Sequence, residues 1–198
     1  MALVVATLKN DIKTAFQATD WAVCAAQLAT AVDNFIKTAT VTTTVTLTLH
    51  TPGGDVPGSA TGVANAINTT GMAAMQAAIL AKFQSSSTMW VDLGPSLATA
   101  ISTDVKTGMV NTIVSTPPIV GAGVGSPGCI NDSAGLSGLI ANITTAFSTQ
   151  AFASDWNAVG DKIGDSIDQY LKAAIVTTVD SGTAPFPWNG SGLNGKIS

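Results

Sequence analysis

Few residues in this chain have the types and spacing that chemistry requires. The one histidine, His50, stands five residues before Asp55 with serines nearby, the components of a Ser-His-Asp hydrolase. The Gly-x-Ser-x-Gly turn that would present the nucleophile is missing. Asp161, Asp165 and Asp168 fall at i, i+4 and i, i+3 spacing on one helical face, where their oxygens could meet a divalent cation. The same spacing is also that of a solvated helix surface, and the chain has no Glu to enlarge the set. Gly121-Ala-Gly-Val-Gly125 shares glycines with a dinucleotide-binding loop, but lacks its full spacing and its strand-to-helix setting. Cys24 and Cys129 lie far apart with no CxxC, so they read as two free thiols, with an intrachain bridge as the alternative. The expectation is a protein without catalytic, metal or cofactor residues, not an enzyme. A hydrolase built on His50 remains as the weakest competing reading.

The elements that would position these residues announce themselves as a repeat. Trp21, Trp90 and Trp156 are each followed by an aliphatic residue after seven positions (Leu28, Leu97, Ile163) and after eleven (Val32, Ile101, Ile167). Another comes after fifteen (Ile36, Val105, Leu171), then a lysine (Lys37, Lys106, Lys172). Steps of seven, four and four hold one stripe of a helix. Before each Trp runs a second stripe at i, i+4, i+8: Leu8-Ile12-Phe16, Met75-Ile79-Phe83 and Leu139-Ile143-Phe147. The unit predicted is a pair of amphipathic helices, the first spanning residues 5–18 in unit one. Thr19, Thr88 and Ser154 stand where the second helix would be capped. Gly94-Pro95 conflicts with a helix running on from Trp90, so that helix is expected to start late, near Pro95. Phe16, Phe83, Phe147, Trp21, Trp90 and Trp156 are the expected large members of a shared core.

After each helical pair the period changes to two. Residues 41–49 alternate Val or Leu with Thr, a strand pattern; residues 110–114 and 175–179 are shorter versions. Such strands must pair, with one another or with a neighbouring subunit. Each runs into a Gly/Pro-rich stretch, at residues 51–59, 116–129 and 181–198, and a linker helix is expected over residues 60–68. The predicted fold is therefore mainly α with minor β: three tandem helical-hairpin repeats, each followed by a short Thr-rich strand and a Gly/Pro-rich arm. Its units are residues 1–70, 71–132 and 133–198. The last arm places Phe186, Trp188, Leu193 and Ile197 on an extended segment, as partner-docking residues, because aromatic anchors dominate interface energetics.

Composition narrows the partners. The chain has 198 residues, is 46% hydrophobic and only 10% charged, and carries a net charge of −4. Its acids are all Asp and its bases all Lys. Eight lysines without arginine give no basic footprint for nucleic acid. No run of about 18 apolar residues suggests a membrane span, and residues 1–9 lack the basic start of a signal peptide. A charge-poor surface suits burial against other subunits.

The Ala/Thr/Gly-rich, Arg-free and Glu-free composition, the compact helical units and the Gly-spaced end from Pro187 to Ser198 resemble small virion structural proteins of tailed bacteriophages. That resemblance implies a non-enzymatic component of the tail, neck, baseplate or capsid, assembled in the host cytoplasm. Its partners would be other virion proteins and copies of itself, without nucleic acid, membrane or cofactor. The alternative is a binding or adhesion module that recognises a ligand or cell-surface partner through its Gly/Pro-rich loops.

Overall fold

A computed structural model describes residues 4–85, 90–151 and 155–198 of the chain. Three helical pairs form where the stripes place them: α1 (Val5–Phe16) and α2 (Trp21–Lys37), α3 (Met72–Gln84) and α4 (Trp90–Lys106), α5 (Ser133–Thr145) and α6 (Trp156–Ala173). A π-helical turn, Ala146–Ala151, extends α5. The caps on α2 and α6 are aspartates. Asp20 accepts a hydrogen bond from the Val23 N–H at 2.8 Å, and Asp155 accepts one from Ala158 at 3.0 Å. The cap expected at Thr19 thus sits one residue later, on a side chain that also favours the positive helix end. Thr88 and Ser154 lie outside the described residues.

The late start of α4 is also corrected. The helix runs through Gly94-Pro95 from Trp90. Proline forfeits only the bond to the carbonyl four residues back, which belongs to the exposed Val91. The glycine beside it has a packing role: a Cβ on Gly94 would meet the Thr144 backbone at 2.6 Å, so its absence lets α4 and α5 approach.

The larger correction concerns the fold class. Each helix packs on both of its neighbours around a ring, α1 against α2 and α6, α3 against α2 and α4, α5 against α4 and α6. Pairs within a unit are no more intimate than pairs across units, so the chain is not a string of helical hairpins. Nor is it mainly α. The Gly/Pro stretches read as arms, and the linker helix expected over residues 60–68, are strands. They give three hairpins: β1 (Val41–Thr51) with β2 (Gly54–Ala64), β4 (Met109–Thr116) with β5 (Ile119–Gly125), and β7 (Ile175–Ala184) with β8 (Trp188–Ile197). Two short strands, β3 (Ile67–Asn68) and β6 (Ile130–Asn131), add to β4 and β7.

Every pairing is antiparallel, and the first strand of each hairpin pairs with the second strand of another: β1 with β8, β4 with β2, β7 with β5. The order β2-β1-β8-β7-β5-β4 returns to β2, closing a six-stranded barrel with internal threefold character. The helical ring encloses one apolar core that also takes in the near end of the barrel, through Val41, Val110, Val176, Ile67, Ile130 and Ile197. A second, smaller core fills the far half of the barrel with Val45, Leu47, Ala60, Val114 and Trp188. The expected aromatic core is only partly present. Phe147 is buried, Phe16, Phe83 and Trp156 are half-buried, and Trp21 is 44% exposed, tilted against Phe83 with ring centroids 5.0 Å apart. The side chain of Trp90 lies outside the described part.

Candidate functional site

A six-stranded barrel is narrow, and this one fills its bore by alternating bulky and bare strands. Most inward positions on the first strands carry Val, Thr or Leu, while those on the second strands carry Gly or Ala except at the two ends of β8, where Trp188 and Ile197 point inward. The three units supply matching layers. Val41 faces Ala64 and Val110 faces Gly125 at the helical end. Next come Thr43 opposite Gly62, Thr112 opposite Gly123 and Thr178 opposite Gly192, all buried. A Cβ on Gly62 would lie 2.7 Å from the Thr43 hydroxyl, so the glycine is required by the threonine it faces. The third layer holds Val45 and Val114, but Asp180 in the third unit.

Asp180 makes the waist of the barrel polar. Its carboxylate accepts from the Thr112 hydroxyl at 3.1 Å and from Thr178 at 2.8 Å, within a site only 1% exposed. Thr43 donates instead to the Gly62 carbonyl at 3.4 Å. The far mouth is closed by Trp188, whose Nε1–H donates to the Val120 carbonyl at 3.2 Å. Its ring occupies the space over Gly121 and Gly182, where any Cβ would overlap it.

A second polar set lies in the seams between units. Twelve residues after the Trp of each unit stand Asp33, Ser102 and Asp168. Asp33 accepts from the Thr69 hydroxyl, just before α3; at the next seam the partners exchange roles, and Ser102 donates to Asp132, just before α5. Each carboxylate also meets a lysine at a helix end: Lys37, one turn further along α2 itself, pairs with Asp33 at 2.6 Å, and Lys106 at the end of α4 pairs with Asp132 at 3.3 Å. Asp132 further accepts from the Tyr170 hydroxyl at 2.5 Å. Burial pulls the Asp132 carboxyl up, yet hydrogen bonds from Ser102, Tyr170 and Lys106 outweigh it and hold it below the usual value. The Tyr170 phenol is pushed far up by burial and by donating to Asp132.

The residues singled out from the sequence are scattered. His50 pairs with Asp55 at 2.8 Å, but both are exposed at the tip of the β1–β2 hairpin, away from any nucleophile the sequence suggested. Asp161 and Asp165 reach across to α1, pairing with Lys13 at 2.8 Å and Lys9 at 2.6 Å, while Asp168 pairs with Lys172 at 2.8 Å. The first two tie α6 to α1 and the third runs along α6 itself, instead of converging on one point. No group of three or more His, Cys, Asp or Glu among the described residues could hold a metal ion. Gly121–Gly125 is barrel strand. Cys24 is buried, its thiol pushed up to about 11 by burial, and Cys129 is half-buried; both are free. Among the proposed docking residues, Trp188 and Ile197 are 3% and 2% exposed and belong to the barrel interior. Phe186 and Leu193 are exposed. The C-terminal stretch is therefore a strand between β1 and β7 and not an arm.

What sequence reasoning missed is the divergence at matching positions. Asp180 replaces a valine, and Asp104 stands fourteen residues after Trp90 where the other units have Phe35 and Tyr170. Aligning the units over offset fourteen would have exposed it.

Two open grooves repeat on the helical ring. One lies between α1 and α2, about 310 Å³ and lined by Asp11, Thr14, Gln27 and Thr30 among others. Its counterpart lies between α3 and α4, about 370 Å³ and lined by Ala74, Ala78, Lys82, Ser96 and Thr99 among others. Comparison with known proteins matches the chain to no family, no curated protein and no solved structure.

Proposed function

We propose that this chain is a non-enzymatic structural component of a phage particle, built to be packed against other virion proteins and copies of itself. The observation that carries the reading is the outer wall of the barrel. Val63, Ile113, Val124 and Val179 are exposed there, Ile113 by 67% and Val179 by 75%. Val63 pairs with Ile113, and Val124 pairs with Val179, so they form neighbouring couples on adjacent strands. Thr, Ser and Asn surround them. The outward charges on the strands are His50 and Asp55 at one hairpin tip and Lys196 near the helices. Exposed apolar couples in a charge-free setting are characteristic of surfaces that become covered. Each barrel strand already has a neighbour on both sides. The assembly route is thus wall against wall, and not the insertion of strands and arms expected from the sequence. The compositional resemblance supplies the particle. Sedimentation at rising concentration tests it: the wild type forms multimers, and Ile113→Asp with Val179→Asp abolishes them without lowering the melting temperature. A wild type that stays monomeric throughout, or multimers unaffected by the substitutions, overturns the reading.

The second reading, a binding or adhesion module, is favoured by the paired grooves on α1–α2 and α3–α4, which occupy matching positions in two units. The recognition surface would then be helical, because the Gly/Pro stretches first assigned to it are barrel strands.

A further inference from the structure

The entry to α3 is where the first two units meet, and two buried carboxylates converge on it from opposite sides. Asp33, from α2, meets Thr69 two residues before Gly71. Asp104, from α4, lies against Gly71 itself, the residue preceding the helix: a Cβ there would be 2.7 Å from its Oδ1. Asp104 is fully buried, and neither of its oxygens has a hydrogen-bond partner among the described residues. The matching positions in the other units, Phe35 and Tyr170, are aromatic. An acid here has thus been placed in a site that the fold otherwise fills with a ring.

We propose that Asp104 and Asp33 form a proton-operated latch on the seam between the first and second units. It is closed while the pair holds one proton and loosened when both carboxylates are charged. A neutral carboxyl tolerates such burial, whereas a second unpaired charge beside Asp33 does not. Other charged and polar groups facing the pair are few. Lys37 from α2 is already engaged by Asp33, and the nearby Gly71 amide favours the anion without completing a hydrogen bond. Burial first, and the Asp33 charge second, push the Asp104 carboxyl up from 3.8 to about 6. The sign follows. Between these values the folded chain keeps a proton that the unfolded chain has released, so stability falls as pH rises through this window and stays lower above it. The interval corresponds to about 100-fold in the folding equilibrium.

The test is urea unfolding of the wild type and Asp104→Asn at pH 4 and pH 7.5. The amide mimics the protonated acid, so the two should match at pH 4. At pH 7.5 the variant should gain about 100-fold in its folding equilibrium. A variant offset by the same factor at both pH values overturns the latch. Should Asp104→Asn fail to fold, the carboxyl carbon of Asp104 in the wild type is titrated by NMR. A midpoint near 6, lowered by Asp33→Asn, supports the proposal; a midpoint near 4 overturns it. In parallel, the Met75 amide, bonded to the Gly71 carbonyl at 2.9 Å, should lose hydrogen-exchange protection from pH 5 to 7.5 after correction for intrinsic rates. Unchanged protection counts against the seam as the element released.

Discussion

Truncating Trp188 to alanine separates a barrel plug from a docking anchor. A docking anchor on a free arm would cost the isolated protein almost nothing. In the structure the ring is 3% exposed and packs with Val45, Leu47, Ala60 and Val114. Losing a buried tryptophan costs about 3–5 kcal/mol, and the Nε1 bond to Val120 adds about 1 kcal/mol. The loss should sit at the upper end of that range, because the walls beneath the ring are Gly121 and Gly182, which have no side chains to collapse into the gap. Trp188→Phe keeps most of the ring volume and should lose about 1–2 kcal/mol, the hydrogen bond and part of the packing. Urea unfolding followed by circular dichroism reads both, avoiding the fluorescence that Trp188 itself contributes. A Trp188→Ala loss below about 1 kcal/mol would refute the plug, since exposed sites rarely exceed about 0.5 kcal/mol.

Other expectations follow from the layers and seams. Asp180→Val restores the residue type of Val45 and Val114 but leaves the buried Thr112 and Thr178 hydroxyls without their acceptor, so it should destabilise by about 1–3 kcal/mol, read as a lower urea midpoint. Gly123→Ala forces a Cβ into Asp180 and Thr112 and should destabilise by about 1–3 kcal/mol. Gly138→Ala, with open space in helix α5, should stabilise by about 0.4–1 kcal/mol; thermal melts compare the two. Tyr170→Phe removes one of the bonds that lower the Asp132 carboxyl. That carboxylate contributes stability above its unfolded value near 3.8, lost as pH falls through its lowered folded value. Acid titrations should therefore show the variant with a shallower loss of stability in this region.

The helices were legible because their stripes repeat at fixed offsets from Trp21, Trp90 and Trp156, and burial of Leu28, Ile101 and Ile167 depends on that period alone. The barrel was hidden for a physical reason. Strand signals rest on β-branched and aromatic residues, and β1 shows them in alternation. The second strands of the three hairpins, β2, β5 and β8, read instead as Gly-rich loops. In a bore this narrow, glycine is what an inward strand position demands, since Thr43, Thr112 and Thr178 already fill the space opposite Gly62, Gly123 and Gly192. Turn chemistry and bore chemistry use the same residue, and only the pairing of one hairpin with the next distinguishes them. The polar seams were partly visible, because the recurrent lysines at Lys37, Lys106 and Lys172 stood out. Of their carboxylate partners only Asp168 stood out, since acid and hydroxyl change places between Asp33–Thr69 and Ser102–Asp132.

Amide hydrogen exchange along β8 tests the closed barrel most directly. Trp188–Ile197 is bonded on one side to β1 and on the other to β7. Its amides, bonded in the ladders to β1 and β7, should therefore exchange only through the same global opening as those of Val41–Thr51 in β1. Exchange of β8 within seconds, while β1 and the helices stay protected, would show the C-terminal stretch to be a free arm and would contradict the barrel.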